Sequence, residues 1–181
     1  GVPGIIAARS CASLTLTDFN PVVLDLLRAT LTLNVVPPST QVLPLAWGRD
    51  NVPQGMKAQV LLGSDLVYSV DCVTKLLETV NGLLDADQEA VLILSYVSRW
   101  PRVDQALAYG ARAAGFVISP QDLQVFLPPC ATEPNAALYL IRRASDSPRS
   151  IAAADWTWDA PRDSWTLPPH AVSERSLQAH P

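Results

Sequence analysis

The chain has 181 residues, enough for one domain with a substantial core, and 49% of them are hydrophobic while only 17% are charged. Such a composition argues against a largely disordered protein over the first 144 residues. The net charge is −4, and there is neither a Lys/Arg-rich run nor an apolar stretch of membrane-spanning length, so the sequence favours no nucleic-acid partner and no membrane span.

The chain begins with Gly1 rather than Met and has no signal peptide or Arg/Ser-rich presequence, which is typical of a fragment or a processed form. Gly1 and Gly4 stand before a small apolar run. This pattern is typical of the end of a glycine-rich loop that runs into a helix, where backbone N–H groups can meet a ligand. A flexible start to the chain would look the same.

Residues Ser13–Thr17 alternate and contain two threonines, which predicts a strand ending at Asp18. Asn20 is a good N-cap and Pro21 a good first helical residue, so a helix should follow, to about residue 34. Asp18 therefore lies at a strand tip downstream of the glycines, where dinucleotide-type sites place a ribose-binding acid. Because Asn20 occupies the cap, the alternative that Asp18 is only a capping residue is weakened.

Residues Thr40–Ala46 predict another strand, and Pro44 within it indicates a sheet edge. Trp47 follows this strand at its exit. An indole beside a ribose-binding acid could stack on a purine, and the alternative is that Trp47 is an ordinary packing residue.

Residues Ala58–Gly63 contain the apolar run Val60-Leu61-Leu62 without alternation, which predicts a strand covered on both faces. Ser64 and Asp65 come directly after it, at the kind of strand end where open α/β sheets bind ligands. Asp65 and Tyr68 are three positions apart, so one tight loop can aim both at one cleft. The alternative is that Asp65 caps the next helix and Tyr68 packs beside it.

The following segments alternate between helix and strand. We predict a helix over Val70–Leu84, a strand over Ala90–Val97 and a helix over Arg102–Ala114 that Gly115 ends. Residues Phe116–Ile118 and Leu123–Leu127 can supply a further strand, and Ala136–Arg142 form the last one. Two strands without a helix between them predict an antiparallel end to a mostly parallel sheet. We expect Asp18, Trp47 and Asp65 at one edge of one parallel sheet.

The three cysteines, Cys11, Cys72 and Cys130, are widely spaced and outside any Cys-x-x-Cys pattern. This spacing predicts reduced, buried thiols in an intracellular protein, cytoplasmic or nuclear, rather than a disulfide or a zinc site. His170 and His180 are the only histidines and lie near the carboxyl terminus. A His-based triad or His-ligated metal in the folded part is therefore excluded.

Residues 145–181 show no sustained periodicity and carry five of the sixteen prolines. We predict a domain over residues 1–144, incomplete at its N-terminus, followed by a disordered or surface-wrapping tail. Trp156 and Trp158 form a Trp-x-Trp pair in this tail. The pair is a candidate partner-binding motif, although tail aromatics without such a role are commoner.

The order of these elements, with the segments GVPGIIAA, LTLTDFNPVVLDLLRATLTLN, LAWG and LLGSDLVYS, resembles the seven-stranded S-adenosylmethionine methyltransferases. More narrowly it resembles the family 16 protein-lysine methyltransferases, which carry an Asp-x-x-Tyr motif. The resemblance spans about residues 1–143. It implies a Rossmann-like seven-stranded α/β sheet with an antiparallel end strand, S-adenosylmethionine as cofactor, lysine methylation of a protein substrate, and a monomer.

The resemblance also implies a role for each residue that matches a functional position of the family. It implies that Gly1 is the last glycine of the glycine-rich loop, Asp18 the ribose binder, Trp47 an adenine-side contact, Ser64 the small residue lining the cofactor, and Asp65 and Tyr68 the motif at the substrate side.

The chain departs from the family pattern because the first strand and first glycines, which should precede Gly1, are absent. Without that central strand, two half-sheets lack a shared neighbour and leave backbone groups unpaired, so we expect this chain to be inactive or nearly so by itself. Two other functions remain open. One is a nicotinamide-dependent Rossmann oxidoreductase, and the other is a non-catalytic interaction module that uses the tail as its partner segment.

Overall fold

The computed structural model describes residues 1–127, 135–144, 157–159 and 164–166. The helices are α1 (Val2–Ala7), α2 (Pro21–Thr32), α3 (Val70–Leu83) and α4 (Pro101–Ala113), and the strands are β1 (Thr15–Asp18), β2 (Gln41–Pro44), β3 (Val60–Ser64), β4 (Val91–Val97), β5 (Phe116–Gln121), β6 (Ala136–Arg143), β7 (Thr157–Asp159) and β8 (Ser164–Thr166). Within the described ranges, no helix combines the length and apolar character needed to cross a bilayer.

The strands of the α/β domain fall into two sheets. β1 pairs with β2 in parallel, and a second sheet has the order β3-β4-β6-β5. In the second sheet β3 and β4 are parallel, while β6 runs antiparallel to both of its neighbours. The predicted antiparallel end of the sheet is confirmed. The antiparallel strand β6 lies between β4 and β5, so it is not the outermost strand. The predicted edge position of β2 is also confirmed.

In the described part of the chain, β1 and β3 each pair on one side only, as predicted for two half-sheets without a shared neighbour. The expectation that Asp18, Trp47 and Asp65 lie at one edge of one parallel sheet is therefore wrong. Asp18 ends β1 and Trp47 follows β2 in one sheet, whereas Asp65 follows the carboxyl end of β3 in the other. Helix α1 contacts β3. It also packs on β1, where a Cβ added to Gly4 would lie 2.4 Å from Leu16 Cδ2.

The prediction that β3 is covered on both faces is wrong. Val60 and Leu62 are 53% and 41% exposed, whereas Leu61 on the opposite face packs against the core. Side chains alternate across a strand, so one face of β3 is buried and the other faces solvent. An apolar run alone does not distinguish this half-covered strand from a buried one.

The main core lies between the second sheet and helices α3 and α4. Leu94 of β4 and Ile141 of β6 are fully buried at its centre. The helices contribute the buried residues Val73, Leu76, Leu77, Val80, Val103, Leu107 and Ala111. Their helical spacing is the period that predicted these helices from the sequence.

Two helix ends follow local rules that the sequence predicts. Asn20 accepts a hydrogen bond from the Val22 N–H at 2.9 Å and begins α2. Gly115 has a φ of +77° and ends α4, as expected of a left-handed cap. The strand predicted within Leu123–Leu127 is wrong: Leu123–Val125 form a 3₁₀ turn, which Asp122 caps by accepting from the Gln124 N–H.

The thiols of Cys11 and Cys72 are free, as predicted, but Cys11 is exposed rather than buried and Cys72 is half-buried. Cys130, both histidines and most of residues 145–181 lie outside the described residues, and so does the prediction of a disordered tail. The described exceptions in the tail are β7 and β8, which pair antiparallel with Trp158 opposite Trp165.

Candidate functional site

The turn that follows β3 carries the Asp-x-x-Tyr motif. Val67 is 1% exposed and anchors the turn in the core. Asp65 has a φ of +51°, an uncommon backbone conformation that clusters at functional sites, and its N–H donates to the Ser95 carbonyl at 2.8 Å. Ser69, not Asp65, caps α3 by accepting from the Cys72 N–H. The alternative of a capping Asp65 is therefore wrong.

The other polar residues of this turn are open to solvent. Tyr68 is 58% exposed, so the alternative that it packs beside the helix is also wrong. Ser64 is exposed at the last position of β3. The structure thus brings Ser64, Asp65 and Tyr68 together at the carboxyl end of β3, where they are accessible to a ligand.

Arg99 belongs to the candidate site and was not predicted from the sequence. Its Nη1 and Nη2 donate to the two carboxylate oxygens of Asp65 at 2.6 and 2.7 Å, a bidentate ion pair. The guanidinium lowers the pKa of Asp65, and the carboxylate in turn raises the pKa of Arg99. A sequence signal existed, because Arg99 follows the strand that comes next after the one leading to Asp65.

A buried hydrogen-bond cluster lies behind Arg99. Asp104, in the first turn of α4, accepts from the Tyr96 hydroxyl and, at 2.6 Å, from the Ser98 hydroxyl. Burial, with the hydrogen bond to Asp104, raises the pKa of Tyr96, and burial raises the pKa of Tyr139 to about 12. These hydrogen bonds attach the end of β4 and the residue before Arg99 to the first turn of α4.

Asp18 lies at the carboxyl end of β1 and is half-buried. Its Oδ1 accepts from the Asn20 N–H at 2.8 Å, and its carbonyl accepts from the Leu45 N–H at 2.9 Å. Its Oδ2 forms no hydrogen bond within the described residues. A fixed carboxylate with one unused oxygen suits the hydroxyl groups of a ribose.

Trp47 follows β2, is half-buried and packs against the core. This agrees with the alternative that Trp47 is an ordinary packing residue. It also borders an open cleft of about 560 Å³ lined by Trp47, Gly48, Arg49, Asp50, Asn51, Lys75 and Glu78. Neither Asp18 nor Asp65 lines this cleft. The structure therefore does not join Trp47 and Asp65 in one cavity.

Gly1 is the N-cap of α1, and a Cβ added there would lie 2.2 Å from Leu27 Cδ2 in α2. Glycine at this position lets the backbone approach α2 closely. No group of three or more metal-ligating side chains occurs among the described residues.

Several known proteins are similar to this chain in sequence or in fold. The sequence model of a family described as lysine methyltransferase matches residues 1–106. Protein N-lysine methyltransferase METTL21A of Danio rerio is 35% identical over 112 residues, which are 59% of this chain and 50% of that protein. METTL21A of Mus musculus is 32% identical over 107 residues, which are 56% and 47% of the two chains. The chain thus spans about half the length of the curated relatives it matches.

Among solved structures, an O-methyltransferase family protein from Burkholderia thailandensis matches with a TM-score of 0.54 at 13% identity. The match covers 75% of this chain and 45% of that one. At this identity the likeness shows a shared fold only.

Proposed function

Because the chain belongs to the lysine methyltransferase family, we propose that it forms the cofactor and substrate sites of an enzyme that methylates a lysine of a protein substrate. The observation that best supports this proposal is the Asp65–Tyr68 turn. It lies within the residues that match the family model, and Asp65 and Tyr68 are exposed at the carboxyl end of β3. The cofactor of this proposal is S-adenosylmethionine.

On the cofactor side, Asp18 would accept hydrogen bonds from the ribose hydroxyls through its unused oxygen. Ser64, a small exposed residue, would line the cofactor, Gly1 would be the last residue of the loop beside it, and Trp47 would contact the adenine. When bound, S-adenosylmethionine supplies a sulfonium methyl group that passes to the amine nitrogen as the C–S bond breaks and its electron pair stays on sulfur.

On the substrate side, the lysine must present a neutral amine, because a protonated nitrogen has no free electron pair. Asp65 would orient that amine by accepting its N–H, and the exposed ring of Tyr68 would stabilise the positive charge that develops on nitrogen. The rate of an in-line displacement depends strongly on such alignment. These roles require neither histidine nor a metal ion.

A non-catalytic interaction module is the second candidate, and the split sheet favours it. Within the residues that the structure describes, β1 and β3 are each unpaired on one side, and no strand joins the Asp18 and Asp65 halves of the site to fix their spacing. The family match favours either of these functions over a nicotinamide-dependent oxidoreductase.

The test is calorimetric titration with S-adenosylmethionine, together with transfer of a radiolabelled methyl group to lysine-containing proteins. Both are carried out on the 181-residue chain and on a version with an additional N-terminal strand and glycine turn. Asp18→Asn should weaken cofactor binding first, and Asp65→Asn should reduce turnover more than cofactor binding. Asp25→Asn is the matched control, because Asp25 is exposed on α2 and pairs with Arg28.

Methyl incorporation that depends on Asp65 would support the proposal. Cofactor binding without transfer, or no binding by either chain, would favour the interaction module.

A further inference from the structure

The Asp65–Arg99 pair joins two separate segments of the candidate site. The partners are 34 residues apart, and their side chains are 46% and 43% exposed. The second ion pair among the described residues, Arg28–Asp25, links neighbouring turns on the exposed face of one helix. The first pair is therefore a tertiary contact at the candidate substrate side, and a lysine side chain can reach it.

Hydrogen bonds at or next to each partner hold the two segments of this pair in place. The Asp65 N–H donates to the Ser95 carbonyl of β4, and the Ser98 hydroxyl, one residue before Arg99, donates to Asp104. The positive φ of Asp65 has a conformational cost that the surrounding contacts must offset. These contacts fix the segments on both sides of the pair, and the two hydrogen bonds from Arg99 fix the direction of the Asp65 carboxylate.

An unpaired carboxylate beside a substrate lysine would oppose the reaction. Its negative charge would favour the ammonium form, and the reacting nitrogen must be neutral. A guanidinium bound to the same carboxylate cancels that charge. Each carboxylate oxygen has a second lone-pair site, so Asp65 can still accept the N–H of an amine while it is bound to Arg99.

We propose that Arg99 is a positioning residue that fixes and neutralises the Asp65 carboxylate, so that a substrate lysine loses its proton readily beside it. The inference rests on the proposed lysine methylation.

Other titratable or charged side chains lie on the elements around this pair. They are Tyr68 on the same turn, Asp71 and Cys72 at the start of α3, Tyr96 on β4, and Arg102 and Asp104 on α4. The Asp104 carboxylate is occupied by hydrogen bonds from Tyr96 and Ser98. Arg99 is thus the cation that bonds directly to Asp65.

The experiment measures kcat and KM for a lysine peptide between pH 6 and 10, using whichever chain length transfers methyl groups in the assay above. The variants are Arg99→Gln, Arg99→Lys and the double variant Arg99→Gln/Asp65→Asn. Arg28→Gln is the matched control, since it removes an exposed, paired arginine far from the turn in sequence. On the acid side of the pH profile, kcat rises as the bound amine loses its proton, so the position of this acid limb reports the pKa of that amine.

Arg99→Gln should move the acid limb of kcat to higher pH by about one unit, so that kcat falls about tenfold at neutral pH without a rise in KM. Arg99→Lys should keep the limb near its original position because it keeps the charge, with a lower plateau. The double variant should return the limb towards its original pH, because neither charge remains. The control should leave the profile unchanged.

A uniform loss of kcat at all pH values in Arg99→Gln, without movement of the limb, would overturn the inference and leave the methyltransferase proposal intact. Absence of methyl transfer by the unaltered chains at every pH would overturn both. Circular dichroism of each variant identifies any loss that comes from unfolding.

Discussion

The hydroxyl of Tyr96 in β4 donates a hydrogen bond to the carboxylate of Asp104 in the first turn of α4. Both residues are buried, and the second carboxylate oxygen accepts from Ser98. The bond connects the core strand to the helix that follows it. It thereby sets the direction in which the chain reaches Arg99, the partner of the motif carboxylate.

Tyr96→Phe should destabilise the domain by about 1–3 kcal/mol, because it leaves a buried carboxylate oxygen without its donor. Urea unfolding measures the effect. Asp71→Asn is a suitable control, since Asp71 lies in the first turn of α3 but is exposed. An effect of Tyr96→Phe no larger than that of the control would show that the bond contributes nothing to stability.

The stability of the domain should fall at alkaline pH because of the partly buried Tyr139. Burial raises the pKa of Tyr139 to about 12, whereas a tyrosine in the unfolded chain ionises near pH 10. A raised folded-state pKa gives a contribution that is complete below about pH 10 and is lost as the pH rises through about 12. Urea unfolding across this range should show the decline, and Tyr139→Phe should reduce it. An identical pH dependence in the variant would contradict the expectation.

The Asp65–Arg99 pair should contribute to stability at neutral pH but not in strong acid. Arg99 lowers the pKa of Asp65, so the contribution is present above the ordinary value of 3.8 and is lost as the pH falls through the lowered value. Both side chains are nearly half exposed, so the effect should be small and weaker in high salt. Thermal unfolding of Asp65→Asn and of the unaltered chain should differ at pH 7 and converge near pH 2.

The amide hydrogens of β3 should exchange faster than those of β4. β3 pairs on one side only within the described residues, whereas β4 lies between β3 and β6. Hydrogen exchange monitored residue by residue tests this in the 181-residue chain. An additional N-terminal strand that pairs with β1 and β3 should slow exchange in both. Equal protection of β3 and β4 in the short chain would show that the β3 edge is already covered.

Much of the fold follows from local sequence signals. Asn20 and Pro21 start α2, Gly115 ends α4, and helical periodicity marks α3 and α4, because each feature depends on residues within a turn or two of one another. The prediction for Leu123–Leu127 failed for a local reason too, since the cap supplied by Asp122 outweighed the apolar pattern.

The candidate site was predicted in part. The sequence alone placed Asp65 and Tyr68 at the carboxyl end of a strand and Asp18 at the tip of another, since a motif and the order of elements need no coordinates. Only the tertiary structure decided that Arg99 binds Asp65 and that one face of β3 is open to solvent. These features depend on which strands become neighbours, and contacts between distant segments leave no periodic signal in one sequence.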